Sequence, residues 1–276
     1  MREPAIVPFK RPGEMELRLH VFRPDDAPGP RPAILFFLCG GWRGFHPPKF
    51  YPHADYLAGR GMIGISAEAR ALGHGAESPV DCVIDARSAV RWTRAHVADL
   101  GIDPDRIAAG GGSASGHVAA CTTLLDGPDG PGEDTSVSPA ADALVLFNPA
   151  LDIPAKPSRI ELFGDEETAR AFSPIEHVRP GLPPAIVLHG RDDQVVRLGE
   201  AVRFTEAMQS AGNRCDLHVY DGEGHGFFNY FDGDNPMFTE TIRETDRFLA
   251  SLGWLAGEPT IDEYEYDGPP TTADQG

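Results

Sequence analysis

Lysine is scarce in this 276-residue chain: Lys10, Lys49 and Lys156 are the only three, and 24 basic residues face 42 acidic ones for a net charge of −18. Neither nucleic acid nor an anionic membrane suits that balance, because both are gripped by basic patches. Long apolar runs are missing too. No stretch approaches the roughly 18 or more consecutive apolar residues that a membrane-spanning helix needs. The N-terminus, MREPAIVPFKRPGEMELRL, has no uninterrupted apolar segment of the signal-peptide kind. As it stands the sequence reads as cytoplasmic; an exported protein whose signal peptide has been removed stays open. Cysteine is sparse, and Cys39, Cys82, Cys121 and Cys215 show no CxxC spacing, which argues against a metal site. Buried free thiols are the first reading. A Cys82–Cys121 disulfide between two helices is the alternative, and would point to export.

What is present is an alternation of strand-like and helix-like segments. Strands are expected at 16–22, 33–38, 63–66, 106–109, 143–147, 185–189 and 216–220, and most of the later ones are short continuous apolar runs. Such runs suit parallel strands buried on both faces. Helices are expected at 79–100, after Ser113, at 198–211 and at 236–252. The first of these opens with Ser78 as N-cap, Pro79 at the first helical position and Asp81 three residues on, and Gly101 closes it. Strand and helix in turn imply one α/β domain over residues 1–255, with a mostly parallel central sheet and helices on both faces. Residues 150–182 have no place in the sheet and read as a small cap-like insertion near the site. Residues 256–276 are polar and acidic, and are expected to form a poorly ordered tail.

One stretch asks for a chemical explanation. In RIAAGGGSASGHVAACTTLL an apolar run meets three glycines, reaches Ser113 and turns into a helix. A serine hydroxyl is a weak nucleophile unless it is held exposed beside a base, with donors aimed at the oxyanion that forms. A sharp strand-to-helix turn does this, and its neighbours two residues either side must be small. Gly111 and Ser115 occupy those places, which makes this the G-x-S-x-G pattern with its last glycine replaced. A glycine-rich phosphate cradle opening a helix is the plainer reading of the same residues.

The partners decide between them. In an open parallel sheet chemistry gathers at the carboxyl ends of the strands. There LHGRDDQVV supplies Asp192 and Asp193, and YDGEGHGFFNYF supplies His225 between two glycines. Asp193 could be an ordinary turn residue and His225 a solvated loop histidine; His117 reads as structural, and His189 ends a strand just before the acid loop. Three loops in the order serine, carboxylate, histidine nevertheless match the order of a Ser-Asp-His hydrolase.

With these motifs in hand, the chain resembles the α/β-hydrolases of the hormone-sensitive-lipase-like esterase group, near the acetyl esterases and carboxylesterases that act on small or carbohydrate-linked esters. GGSASG, HGRDDQVV and GEGHGFFN carry the resemblance, which covers nearly all of residues 14–252. It implies Ser113 as nucleophile, Asp193 rather than Asp192 as acid, since the acid stands four residues after His189, and His225 as base. The group's H-G-G-G-W reads LCGGW here, so Leu38 and Cys39 replace the His-Gly pair. Gly40 and Gly41 keep the two oxyanion amides, and Ala114 would supply a third. No cofactor or metal is implied; the expected partner is a small-molecule ester. A homodimer is open, as is a substrate role for Trp42, Phe45, Phe227, Phe228 and Tyr230. Because residues 150–182 are short, charged and broken by prolines, short acyl chains are expected. A prolyl-oligopeptidase-type peptidase and a catalytically silent ligand- or partner-binding relative remain alternatives.

Overall fold

Most of the apolar runs become strands covered on both faces. The computed structural model describes residues 1–25, 29–231 and 233–271. The chain opens with β1 (Ala5–Lys10), β2 (Leu17–Phe22), β3 (Arg31–Leu38), α1 (Tyr51–Gly59) and β4 (Ile63–Glu68). A small pair, β5 (Ala71–Leu72) and β6 (Gly75–Ala76), precedes α2 (Pro79–Ala95) and α3 (Val97–Leu100). Then follow β7 (Ile102–Gly112), α4 (Ala114–Leu124), β8 (Ala143–Phe147), α5 (Pro157–Phe163), α6 (Glu166–Ala171), β9 (Ala185–Gly190), α7 (Leu198–Ser210), β10 (Cys215–Tyr220) and α8 (Pro236–Ser251).

The large sheet runs β1-β2-β4-β3-β7-β8-β9-β10. Its first two joins are antiparallel, and those from β4 to β10 are parallel. Side chains alternate across it, so one strand feeds two cores. Ala33, Leu35 and Phe37 of β3 pack with α2, α4 and α7; Ile34, Phe36 and Leu38 pack with α1 and α8. The expected α/β layering is therefore what forms.

Helix α1 and strand β1 are among the elements the sequence does not mark. Eight residues of α1, Tyr51 to Ala58, are buried, including His53 and Asp55, so no polar face marks the helix. β1 contains Pro8 and a register shift beside it, which an edge strand tolerates and a central one would not. The single helix expected over 79–100 is two: His96, at φ −114°, ends α2, and α3 follows to a left-handed Gly101. At the start of α2, Ser78 and Asp81 form a reciprocal capping box.

The tail requires a correction. Its described part is laid against the α1–α8 face: Ile261 is buried, the Thr260 amide donates to Tyr56 Oη at 3.1 Å, and Tyr264 Oη donates to Asp55 Oδ2 at 3.0 Å. IDEYEY places Ile261, Tyr264 and Tyr266 inward while its acids face out, a pattern that mean polarity conceals. Residues 272–276 lie outside the described residues. The disulfide alternative also falls, since all four cysteines are free and buried. Cys82 neighbours Cys39, and the Cys82 thiol is pushed well up by its hydrogen bond with Cys39 and by burial. Among the described residues no helix is long and apolar enough to cross a membrane.

Candidate active site

The glycines around Ser113 are explained by what surrounds them. A Cβ on Gly111 would stand 2.6 Å from the Ser115 carbonyl, one on Gly112 2.1 Å from the Phe228 ring, and one on Gly116 2.9 Å from Pro149. Strand, helix and ring thus close to distances that only glycine permits. Ser113 sits at the apex between β7 and α4 with φ 57° and ψ −123°, a conformation that costs a non-glycine residue roughly 1–3 kcal/mol. Its amide is tied to Phe147 O at 2.9 Å.

The acid and base loops arrive from the next strands. Ser113 Oγ lies 2.9 Å from His225 Nε2, and His225 Nδ1 lies 2.8 Å from Asp193 Oδ2. An ionised carboxylate only accepts, so Nδ1 carries the proton and Nε2 faces the serine hydroxyl as acceptor. Asp193 is buried, and its Oδ1 accepts from the amides of Val195 and Val196 at 2.8 and 2.9 Å. Burial raises its pKa, but hydrogen bonds from His225, Val196 and Val195 outweigh that and hold it below the usual carboxylate range. Asp192 points to solvent. The two loops are stitched together: the Asp192 amide donates to Glu223 O at 2.9 Å, and a Cβ on Gly190 would stand 2.4 Å from the same oxygen.

The competing histidines are engaged elsewhere. His117 is buried, accepts from Trp42 Nε1 at 3.2 Å and meets Phe172 O at 2.8 Å; burial lowers its pKa to about 4. His189 meets Val196 O at 2.9 Å, and burial lowers it too. Both are neutral supports of the loops beside the site.

In the loop after β3, Gly41 and Trp42 take positive φ of 61° and 57°. The Trp42 amide is used by Cys39 O at 2.7 Å, and those of Arg43 and Gly44 by Gly40 O. The amides of Gly40, Gly41 and Ala114 have no protein acceptor among the described residues. Leu38 joins the apolar core, and Cys39 has φ −157°, extended backbone open to any residue.

Three contributors escaped the sequence reading. Ser115 Oγ accepts from the Cys39 amide at 3.0 Å and so pins the loop after β3 to the turn at Ser113. Asn148 comes within 3.2 Å of His225 Nδ1. Lys49 Nζ lies 3.9 Å from where a Gly40 Cβ would be, with its pKa lowered by burial and no carboxylate partner among the described residues. No periodicity or motif marks such single residues.

Of the aromatic set, Trp42 is buried edge-on to His117 and Phe163, and Phe228 stacks on Phe147 at 4.7 Å. Phe227 is buried as well, while Phe45 and Tyr230 are half-buried. Phe163 belongs to α5, so residues 150–182 lean on the loop after β3 through its contact with Trp42. Among the described residues no three of His, Cys, Asp and Glu converge to hold a metal ion.

Residues 81–235 match the prolyl oligopeptidase family, and residues 19–141 match the family described as BD-FAE. Apo esterase 2 of Thermogutta terrifontis is 41% identical with a TM-score of 0.88, covering 92% of this chain and 97% of that one. The propionate-bound form of that esterase is 40% identical with a TM-score of 0.86, covering 92% and 96%. A butyrate-bound form has also been solved. Esterase LipQ of Mycobacterium tuberculosis is 31% identical over 226 residues, 73% of this chain and 52% of LipQ. The chain spans about half the length of the curated relatives it matches. By these matches, which agree with the fold, the chain belongs to the α/β-hydrolase superfamily, among the serine esterases of the hormone-sensitive-lipase-like group, whose catalytic fold the prolyl oligopeptidase family shares.

Proposed function

We propose that the protein is a carboxylesterase for short-chain, acetyl-type esters, including those carried on carbohydrates, working through an acyl-enzyme. Ser113 is the nucleophile: as Oγ attacks the ester carbonyl, His225 Nε2 takes its proton, and Asp193 orients and stabilises the resulting imidazolium without taking a proton itself. The oxyanion rests on the amides of Gly40, Gly41 and Ala114. His225 then returns the proton to the departing alcohol. Water repeats the sequence on the acyl-serine and releases the acid. The chain of hydrogen bonds from Ser113 through His225 to Asp193, at 2.9 and 2.8 Å, is the observation that carries this reading.

Short acyl groups are favoured because α5 and α6 turn their apolar side chains inward. Phe163 is spent on Trp42 and His117, and Ala169 is buried, so little apolar surface remains to cover a long chain. Each methylene left uncovered forgoes about 0.8 kcal/mol. The propionate- and butyrate-bound forms of the Thermogutta esterase support the same size class. The test is kcat/KM across p-nitrophenyl esters of increasing chain length. The maximum is expected at acetyl to butyryl; a maximum at about ten carbons or beyond overturns the assignment, since such a gain requires a covered apolar site. The prolyl oligopeptidase match favours one second reading, a peptidase. Prolyl p-nitroanilides hydrolysed faster than the acetyl ester would establish it.

A further inference from the structure

Asn148 follows β8 directly and lies at the sheet's carboxyl edge between the strand that ends at Ser113 and the strand that leads to Asp193. It is fully buried, its amide donates to Leu188 O at 2.7 Å, and it takes φ 34°, one of three non-glycine residues with positive φ among the described residues. The other two are Ser113 and Trp42, both in the site already described. Such backbone conformations persist only where the surroundings hold them, and they cluster at functional sites.

The side chain points at the base. Asn148 Nδ2 is 3.2 Å from His225 Nδ1, while Oδ1 is buried with no partner. His225 Nδ1 already donates to Asp193 Oδ2 at 2.8 Å. An amide NH2 facing that N–H would set donor against donor. The two ends of an amide have the same shape, and the network decides which faces where. Oxygen toward His225 removes the clash and gives Nδ1–H two acceptors, one charged and one neutral.

We propose that Asn148 is a positioning residue for His225: its amide oxygen is the second acceptor of Nδ1–H. The proposal rests on the triad reading above. The titratable groups facing His225 among the described residues are Asp193 and, behind it, His189, with Nε2 3.6 Å from Asp193 Oδ2 and kept neutral by burial; Glu223 stands on its own loop. A carboxylate at residue 148 would therefore be a second anion on the imidazole beside Asp193.

The experiment uses Asn148→Gly, which removes the side chain yet suits the positive φ, and Asn148→Asp, which keeps shape and φ tolerance while adding charge. Circular dichroism and thermal melts establish folding. Asn148→Gly is expected to lower kcat on p-nitrophenyl acetate about tenfold, less than the roughly 10²–10⁴-fold that a general base itself contributes, because Asn148 acts only through the base. KM should be little changed, and the acid limb of the kcat/KM profile should move to lower pH. Asn148→Asp should move that limb the other way, because a nearby anion favours imidazolium. In an Asp193→Asn background, Asn148→Asp should restore kcat at least about tenfold, since it returns a carboxylate to the imidazole. A merely structural role predicts lost activity without opposite shifts of the limb and without rescue; either result overturns the proposal. Failure of the triad itself is seen separately, as full activity in Ser113→Ala or His225→Ala.

Discussion

Replacing Asp193 by asparagine isolates the electrostatic part of the mechanism from its geometry. The amides of Val195 and Val196 both donate to Asp193 Oδ1, so an asparagine must keep its oxygen on that side. Its NH2 then faces His225 Nδ1, where Oδ2 now stands at 2.8 Å. The imidazole can satisfy that donor only by moving its proton to Nε2, which turns the base away from Ser113. Charge is lost as well. Unit charges about 4 Å apart attract by roughly 4 kcal/mol at the effective dielectric of a partly exposed site, and about 1.4 kcal/mol is a factor of ten in rate. Asp193→Asn should therefore lower kcat about 10³-fold on p-nitrophenyl acetate, with the tautomer penalty adding to that. Asp192→Asn, one residue away on an exposed side chain, should stay within about twofold of wild type, as surface substitutions do. Stability supplies a second readout. The Asp193 carboxyl lies lower folded than unfolded, so its contribution is complete above about pH 4, the unfolded value, and fades as pH falls through the folded value. Asp193→Asn should flatten that acid slope. A folded Asp193→Asn enzyme keeping more than about a tenth of wild-type kcat, less than one decade of barrier, or a deeper loss in Asp192→Asn, would refute the reasoning.

Ser113→Gly should abolish hydrolysis while raising thermal stability, because it removes the Cβ from a φ of 57°; relief of about 1 kcal/mol raises Tm by roughly 2–4 °C in a domain of this size, and a lower Tm would contradict the strain. Ile261→Ala should cost about 2–4 kcal/mol in urea titrations, the usual loss for a buried isoleucine, with kcat at 25 °C little changed; a cost below about 0.5 kcal/mol, the surface range, would mean that the tail packing carries no stability.

What the sequence revealed of the site was what lies next to itself in the chain. The glycines flank Ser113, Asp193 and His225 each follow a strand by a few residues, and the sheet's geometry brings strand ends together without further information. Ser115, Lys49 and Asn148 were invisible for the converse reason. The Ser115 hydroxyl meets an amide 76 residues away, and Asn148 meets a histidine 77 residues on. A serine beside the nucleophile reads as a small residue until the amide above it is seen. Helix α1 failed differently: with its residues buried all round, period-3.6 alternation has nothing to alternate with. The tail failed because its inward Ile261, Tyr264 and Tyr266 are outvoted by acids in any average over the segment.

The departure from the family's His-Gly pair is the feature of this sequence that mildly favours a catalytically silent relative. An oxyanion loop must hold two amides free and aimed. Here that demand falls on Gly41, which needs its positive φ; on the turn in which the carbonyls of Cys39 and Gly40 take the next three amides; and on Ser115, which fixes the amide of Cys39. Positions 38 and 39 contribute backbone in ordinary conformations, and their side chains face the cores on the two sides of the sheet. A histidine and a glycine are thus not what keeps the Gly40 and Gly41 amides without acceptors. The loop's shape survives the substitution because its constraints come from other residues, and the argument for a silent protein loses its only support.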